Sequence, residues 1–125
     1  MNSTPNSTAD STASSTLSTH VLDAVHGSPA AGVQVTVFAQ TGAGSDGQPI
    51  GSGTTDDDGR VTGLVPDGLQ HGTYRIVFAT GSFFEAAGVR AFYPEVAITF
   101  VVDEERHYHV PLLLSPFAYS TYRGS

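Results

Sequence analysis

The sequence predicts an all-β protein, an antiparallel β-sandwich with one short helix, from three features of its pattern. Hydrophobic residues recur at every second position in several stretches, which is the period of strands that turn one face toward a core. Glycine, proline and aspartate cluster between these stretches, as turns require. No helix-period pattern is sustained, and several short strands at close spacing are typical of two packed sheets.

Alternation defines the strands in order along the chain. The first strand-like segment, 17–23, places His20 and Leu22 on one face and Val21 on the other. Within 33–38, three valines alternate with glutamine, threonine and phenylalanine. The same pattern recurs twice more, with apolar positions at Tyr74, Ile76 and Phe78 and at Val96, Ile98, Phe100 and Val102. Each of these segments is predicted to bury one face.

Turn residues separate the strands, at 26–29, 42–47, 56–59 and 66–68. The glycine-rich insert 41–48 is interpreted as a lengthened hairpin loop. One short helix is predicted over 82–87, where Ser82 is placed to cap the first turn and Gly88 to end the helix.

The length of 125 residues favours a single domain, predicted over 17–125. Residues 1–16 differ in composition, because nine of the sixteen are serine or threonine and none is basic or aromatic. Such a segment buries too little apolar surface to offset the entropy lost on ordering. We therefore expect residues 1–16 to be a disordered tail.

The charge and composition exclude several classes of partner. The formal net charge is −7, lysine and cysteine are absent, and all five basic residues are arginines. A nucleic acid or an anionic membrane would require a basic surface, and no apolar run approaches the ~20 residues that span a bilayer. Disulfides and thiolate metal sites are excluded. An anionic small molecule remains a possible substrate, but it would need a locally basic pocket.

Two segments are apolar on both faces of a predicted strand. Val101 and Val102 are adjacent, and 110–114 runs without a polar break. Because one face of an antiparallel sandwich normally meets water, this pattern favours a second buried surface in an oligomer. A central strand that is covered on both faces is the alternative.

Histidines and one arginine are the candidate reactive groups. His107 and His109 lie two apart and therefore share a strand face, a spacing that can also hold a metal ion. No cysteine is present and no carboxylate lies on that face, so we expect no metal and no other cofactor. The alternative for His20 is an exposed polar residue without a function. The alternative for Arg60, which follows an Asp-Asp-Asp-Gly turn, is a solvated side chain.

The C-terminal segment 107–125, HYHVPLLLSPFAYSTYRGS, is unusually rich in functional groups for a chain end. It closely resembles the C-terminus of the 5-hydroxyisourate hydrolases, the enzymatic branch of the transthyretin-like family, in which the ending YRGS marks the hydrolase. The segment STHVLD around His20 is similar to the N-terminal motif of the same family. This resemblance extends from about residue 17 to residue 125, and it implies a transthyretin-like sandwich and a homotetramer.

The resemblance also implies roles for individual residues. His20, Arg60, His109 and Ser125 correspond to catalytic residues; His20, Arg60, Tyr122 and Arg123 correspond to residues that bind the substrate. Family members open a lactam bond of 5-hydroxyisourate with water, which requires a base, an acid and stabilisation of an oxyanion. The absence of a Gly-x-Ser-x-Gly elbow favours direct attack by water. Which histidine acts as the base stays open, as does the role of His107.

Two other functions are compatible with the same fold. A small-ligand carrier like transthyretin would lack the hydrolytic groups, and a prealbumin-like structural module would share the sandwich frame alone. A cytoplasmic location is expected because no secretory signal pattern is found, with the peroxisome as the alternative in a eukaryotic cell.

Overall fold

The computed structural model describes residues 15–41 and 45–125, which form two β-sheets around a common core and one short helix. The strands are β1 (Thr16–Asp23), β2 (Ser28–Pro29), β3 (Gln34–Thr41), β4 (Ser45–Thr54), β5 (Arg60–Val61), β6 (Gly72–Phe78), β7 (Val96–Val102), β8 (His107–Ser115) and β9 (Ala118–Thr121). The helix α1 (Thr80–Ala86) lies between β6 and β7. This architecture confirms the predicted all-β sandwich.

The strand order places the first strand of the described chain beside the C-terminal strand β8. One sheet has the order β9-β8-β1-β2, with β5 also paired to β1, and the other has the order β4-β3-β6-β7. Neighbouring strands are antiparallel except for β1 and β8, which run parallel. In that pair Ser18 is the register partner of His109, and His20 is the register partner of Pro111. The N-terminal and C-terminal motifs of the sequence therefore meet in one sheet.

The hydrophobic core lies between the two sheets and follows the alternation of the sequence. The predicted inward positions of β3 and β6 are buried, as are both ends of β7. The most deeply buried side chains of this part of the core are Val33, just before β3, and Val35, Val37, Ile76, Phe78, Val96 and Val102. Fully burying a side chain of this size contributes about 1.5–3 kcal/mol, so these residues are a main source of the packing between the sheets.

Strand β1 divides its side chains between the core and the outer face of its sheet. Leu17, Thr19 and Val21 are buried, whereas Ser18 and His20 are half-buried on the opposite face. The buried Thr19 hydroxyl donates a hydrogen bond of 2.6 Å to the carbonyl of Val110 on β8. This bond satisfies the one polar group that β1 turns inward and holds the strand against β8.

Three details of the predicted boundaries were wrong. The helix begins at Thr80, so Ser82 lies inside it, and the N-cap residue Ala79 makes no side-chain capping bond. Ser28 and Pro29, predicted as turn, form the short strand β2. The second half of the insert continues as β4, which pairs with β3 through two register shifts. Gly88 follows the helix with φ of 70°, a left-handed conformation that terminates it as expected.

Most of the predicted N-terminal tail and the tip of the insert, residues 1–14 and 42–44, lie outside the described residues. The last two residues of the tail belong to the fold. Ser15 is buried and its hydroxyl donates to the carbonyl of Glu104 over 2.8 Å, and Thr16 opens β1. Across the described part of the chain, no helix has the length and apolar character needed to cross a membrane.

Candidate functional site

One face of the β9-β8-β1-β2 sheet carries the histidines selected from the sequence. His20 on β1 is half-buried, and its register partner across the β1–β5 pair is Arg60. His107 and His109 lie two apart on β8, and Ser18 on β1 is opposite His109. Because side chains alternate along a strand and register partners share a face, these five side chains point away from the core. They are called the histidine face below.

Arg60 is held at the histidine face by the turn that precedes it. One carboxylate oxygen of Asp56 accepts hydrogen bonds from the main-chain N–H groups of Asp58 and Arg60, at 2.9 and 3.0 Å. Gly59 has φ of 77°, which favours glycine, and its carbonyl accepts a 2.7 Å bond from the N–H of Val21. The acidic run is therefore a turn, as its composition indicates, and the turn fixes Arg60 beside β1.

The two histidines of β8 are connected through the hydroxyl of Ser18. Ser18 Oγ lies 2.8 Å from His109 Nδ1 and 2.8 Å from His107 Nε2. The other ring nitrogen of His107, Nδ1, lies 2.5 Å from Thr16 Oγ1. The i, i+2 spacing on β1 thus matches the i, i+2 spacing on β8, and each imidazole is oriented by a hydroxyl of the neighbouring strand.

The surroundings of His109 favour its neutral form. Partial burial is the largest cause that lowers the pKa of His109 from its ordinary value, followed by electrostatic interactions with His107, His20 and Arg60. A hydrogen bond to the Ser18 main chain acts in the opposite direction but does not outweigh them. At neutral pH the imidazole of His109 is therefore available to accept a proton.

The C-terminal segment packs directly on His109. Gly124 is buried, forms a β-bridge with His109, and donates its N–H to the His109 carbonyl over 2.9 Å. A Cβ added at Gly124 would lie 2.6 Å from Cδ2 of the His109 ring, closer than side-chain carbons approach. Glycine at this position allows the chain to lie against the imidazole. Tyr122, Arg123 and Ser125 on either side of it are exposed.

A cavity of about 290 Å³ adjoins His109 and the C-terminal segment. Its walls come from β7, β8, the end of β9 and the two residues after β9, and they are Ile98, Phe100, Val101, Tyr108, His109, Val110, Thr121, Tyr122 and Arg123. Mostly apolar walls with a few polar groups are typical of small-ligand sites. His20 and Arg60 are not among these residues, so His109 is the residue that the cavity and the histidine face share.

The structure brings most of the predicted site residues together. His20, Arg60, His107 and His109 occupy one sheet face, while Tyr122 and Arg123 line the cavity beside His109. Ser125 follows the buried Gly124 at an exposed position, and no contact of its side chain places it on the histidine face. Ser18, Thr16 and Gly124 were not selected from the sequence. For Thr16 and Ser18, the signal available in the sequence was a hydroxyl residue at every second position before His20.

The fold and the histidine face together define a transthyretin-like β-sandwich that carries groups suited to acid–base chemistry. A family model described as HIUase/Transthyretin matches residues 17–124. The chain therefore belongs to the HIUase/transthyretin family.

Relatives of both branches of this family are similar to the chain. A probable 5-hydroxyisourate hydrolase of Caenorhabditis elegans is 50% identical over 110 residues, covering 86% of this chain and 80% of the relative. A 5-hydroxyisourate hydrolase of Salmonella typhimurium is 43% identical, with coverage of 86% and 79%. The solved Klebsiella pneumoniae 5-hydroxyisourate hydrolase has a TM-score of 0.80 at 37% identity, covering 89% of this chain and 99% of that chain. Sea bream transthyretin in complex with thyroxine also has a TM-score of 0.80, at 34% identity and coverage of 86% and 93%.

Proposed function

We propose that this chain hydrolyses 5-hydroxyisourate to 2-oxo-4-hydroxy-4-carboxy-5-ureidoimidazoline in urate breakdown. The observation that carries the proposal is the histidine face, where His20, Arg60 and His109 share one side of a sheet. Several relatives at 43–50% identity bear the name of this hydrolase, which supports the same substrate. A small-ligand carrier requires a cavity, but binding alone does not require a neutral imidazole beside a guanidinium.

Water attacks a lactam carbonyl of the substrate in the proposed reaction. A bond forms between the water oxygen and the carbonyl carbon, one water proton passes to Nε2 of His109, and the C–N bond then breaks. His20 supplies the proton that the departing nitrogen takes. The lowered pKa of His109 supports its role as the base, because a neutral imidazole is required at the start of each turnover. No covalent intermediate with the protein is needed.

Arg60 binds the substrate and stabilises the developing negative charge in this mechanism. Its planar guanidinium offers paired donors to an anionic heterocycle. The guanidinium of Arg60 also provides the local attraction that a chain of net charge −7 would otherwise lack. Tyr122 and Arg123 contact the substrate from the C-terminal segment, and Ser125 closes the site.

The decay of freshly prepared 5-hydroxyisourate, followed by ultraviolet absorbance, tests the proposal. The protein should accelerate the decay well above the uncatalysed rate, and His109→Ala should abolish most of the acceleration while the variant still folds. His26→Ala is the matched control, since His26 is exposed and pairs with Asp23 in a distant turn. Decay at the uncatalysed rate with folded wild-type protein would contradict the proposal and favour a carrier. Near wild-type kcat in His109→Ala would remove His109 from the mechanism.

A homotetramer is part of the same proposal. Val101 on β7 is 58% exposed in the single chain, and Leu113 on β8 is half-buried on the outer face. Apolar side chains at these positions are expected to be covered by other copies of the chain. Light scattering after size-exclusion chromatography should give four times the 13.0 kDa chain mass, and a monomer would contradict it. Cell fractionation would test the cytoplasmic location, with the peroxisome as the alternative in a eukaryotic cell.

A further inference from the structure

A continuous line of hydrogen-bonding groups connects His109 to the edge of the histidine face. It runs from His109 Nδ1 to Ser18 Oγ over 2.8 Å, and from Ser18 Oγ to His107 Nε2 over 2.8 Å. It ends where His107 Nδ1 meets Thr16 Oγ1 at 2.5 Å. His109 is half-buried, whereas His107 and Thr16 are exposed. The line therefore leads from the site toward solvent.

The Ser18 hydroxyl has a single proton, and this limits the line to two arrangements when both imidazoles are neutral. If Ser18 donates to His107 Nε2, it accepts from Nδ1–H of His109, and the Nε2 atom of His109 is left as a free base. If Ser18 donates to His109 Nδ1, the proton of His109 sits on Nε2, and His107 donates from its own Nε2. The hydroxyl thus couples the tautomers of the two histidines.

We propose that Ser18 and His107 act as positioning residues that hold the proton of neutral His109 on Nδ1 and thereby keep Nε2 free as the base. The inference rests on the proposed function. Nε2 of His109 takes a proton from water, and the same Nε2–H bond breaks when that proton passes to solvent. The Nδ1–H bond that donates to Ser18 Oγ stays intact, so neutral His109 returns with Nε2 free.

The surroundings of His109 favour the return to its neutral form after each turnover. The Arg60 guanidinium acts on His109, so a proton on the half-buried imidazole places a second positive charge near the first. In the arrangement with Nε2 of His109 free, His107 can donate its Nδ1–H to Thr16 Oγ1, so each polar atom of the line has a partner. The chemistry also releases a proton, since the carboxylic acid formed by lactam hydrolysis ionises at neutral pH.

Three variants test this positioning by steady-state kinetics. Ser18→Ala and His107→Gln should each lower kcat by roughly 10- to 100-fold, a part of what acid–base groups contribute, with little change in KM. Ser18→Thr, which keeps the hydroxyl, should recover most of the loss. His26→Gln is the control, since His26 is an exposed histidine that pairs with Asp23 in the turn after β1.

The tautomers provide a readout that does not depend on turnover. In wild-type protein labelled with ¹⁵N-histidine, the ring nitrogens of His109 should show Nδ1 protonated, and Ser18→Ala should shift this tautomer equilibrium while leaving His26 unchanged. Unchanged His109 signals, or a kcat within about twofold of wild type in both Ser18→Ala and His107→Gln, would overturn the proposal. A Ser18→Thr variant as slow as Ser18→Ala would also overturn it. If wild-type protein lacks hydrolase activity, the proposed function fails, and the tautomer measurement alone decides the coupling.

Discussion

Replacing Gly124 with alanine tests whether the C-terminal segment positions the imidazole of His109, the proposed base. The added Cβ would lie 2.6 Å from His109 Cδ2 and 3.1 Å from Cγ. Non-bonded carbons prefer separations of about 3.5–4.0 Å, so the ring or the segment must move by roughly 1 Å. The hydrogen bond from Gly124 N–H to the His109 carbonyl ties the segment to β8, and the ring is tied to Ser18. Either response displaces a group of the site.

The size of the effect follows from these contacts. A misplacement of about 1 Å in a site can cost about 10²-fold in rate, so kcat should fall by about two orders of magnitude. If the segment lifts away instead, the hydrogen bond to β8 is lost at a net cost of about 1 kcal/mol. A loss of that size lowers the Tm of a domain near this length by roughly 4–8 °C.

Gly81→Ala is a closely matched control for this substitution. A Cβ at Gly81 would also lie 2.6 Å from its nearest atom, the carbonyl oxygen of Pro94, and the Gly81 N–H donates to that oxygen over 2.9 Å. Gly81 lies in α1, away from the histidine face. Thermal unfolding and the ultraviolet assay should show that both variants lose stability and that Gly124→Ala alone loses kcat. Full kcat in Gly124→Ala, or an equal loss in Gly81→Ala, would refute the argument.

Two further predictions concern the stability of the fold. The pKa of His109 is lowered in the folded protein, first of all by burial, so the unfolded chain binds a proton at this imidazole more readily than the folded chain does. The free energy of unfolding should therefore decline as the pH falls below about 6.5. Urea titrations should show a smaller decline in His109→Gln, and an identical decline would contradict this assignment. Thr55 is buried, donates to the Ala30 carbonyl over 2.7 Å and accepts from Val33 N–H over 2.9 Å. Thr55→Val should lower the free energy of unfolding by about 1–3 kcal/mol. Thr54→Val, at an exposed position, is the control, and an equal loss in both variants would contradict a stabilising role of the Thr55 hydrogen bonds.

Much of the fold was predictable because alternation reports directly on burial. The alternating apolar positions of 33–38 and 73–78 are buried in the core, as their period of two indicates, and so are Val96 and Val102 at the two ends of β7. The parallel pairing of β1 with β8 was not predictable, because no local pattern specifies which distant strand becomes a neighbour. The start of the helix was also missed, since Ala79 caps it without a side-chain bond and leaves no residue signature.

The site was predictable where residue chemistry or the family motif identifies a single residue. His20, Arg60 and His109 were selected in this way, and they do share a face. The roles of Ser18 and Gly124 depend on contacts between distant segments. Ser18 contacts His109 because of the register between β1 and β8, and Gly124 contacts the His109 ring because the C-terminal segment packs on β8. Neither relation is visible in the order of residues alone.

The pairing of β1 with β8 has a consequence for how the molecule acquires activity. Ser18 and His109 are separated by 91 positions along the chain, so they meet only after nearly the whole polypeptide has been synthesised and closed into one loop. Closing long loops costs entropy and slows folding. A nascent chain on the ribosome, or a fragment that lacks β8, has no second imidazole to place beside His20. In the proposed mechanism catalysis thus requires the completed fold, and its onset during refolding marks the moment when β1 and β8 pair.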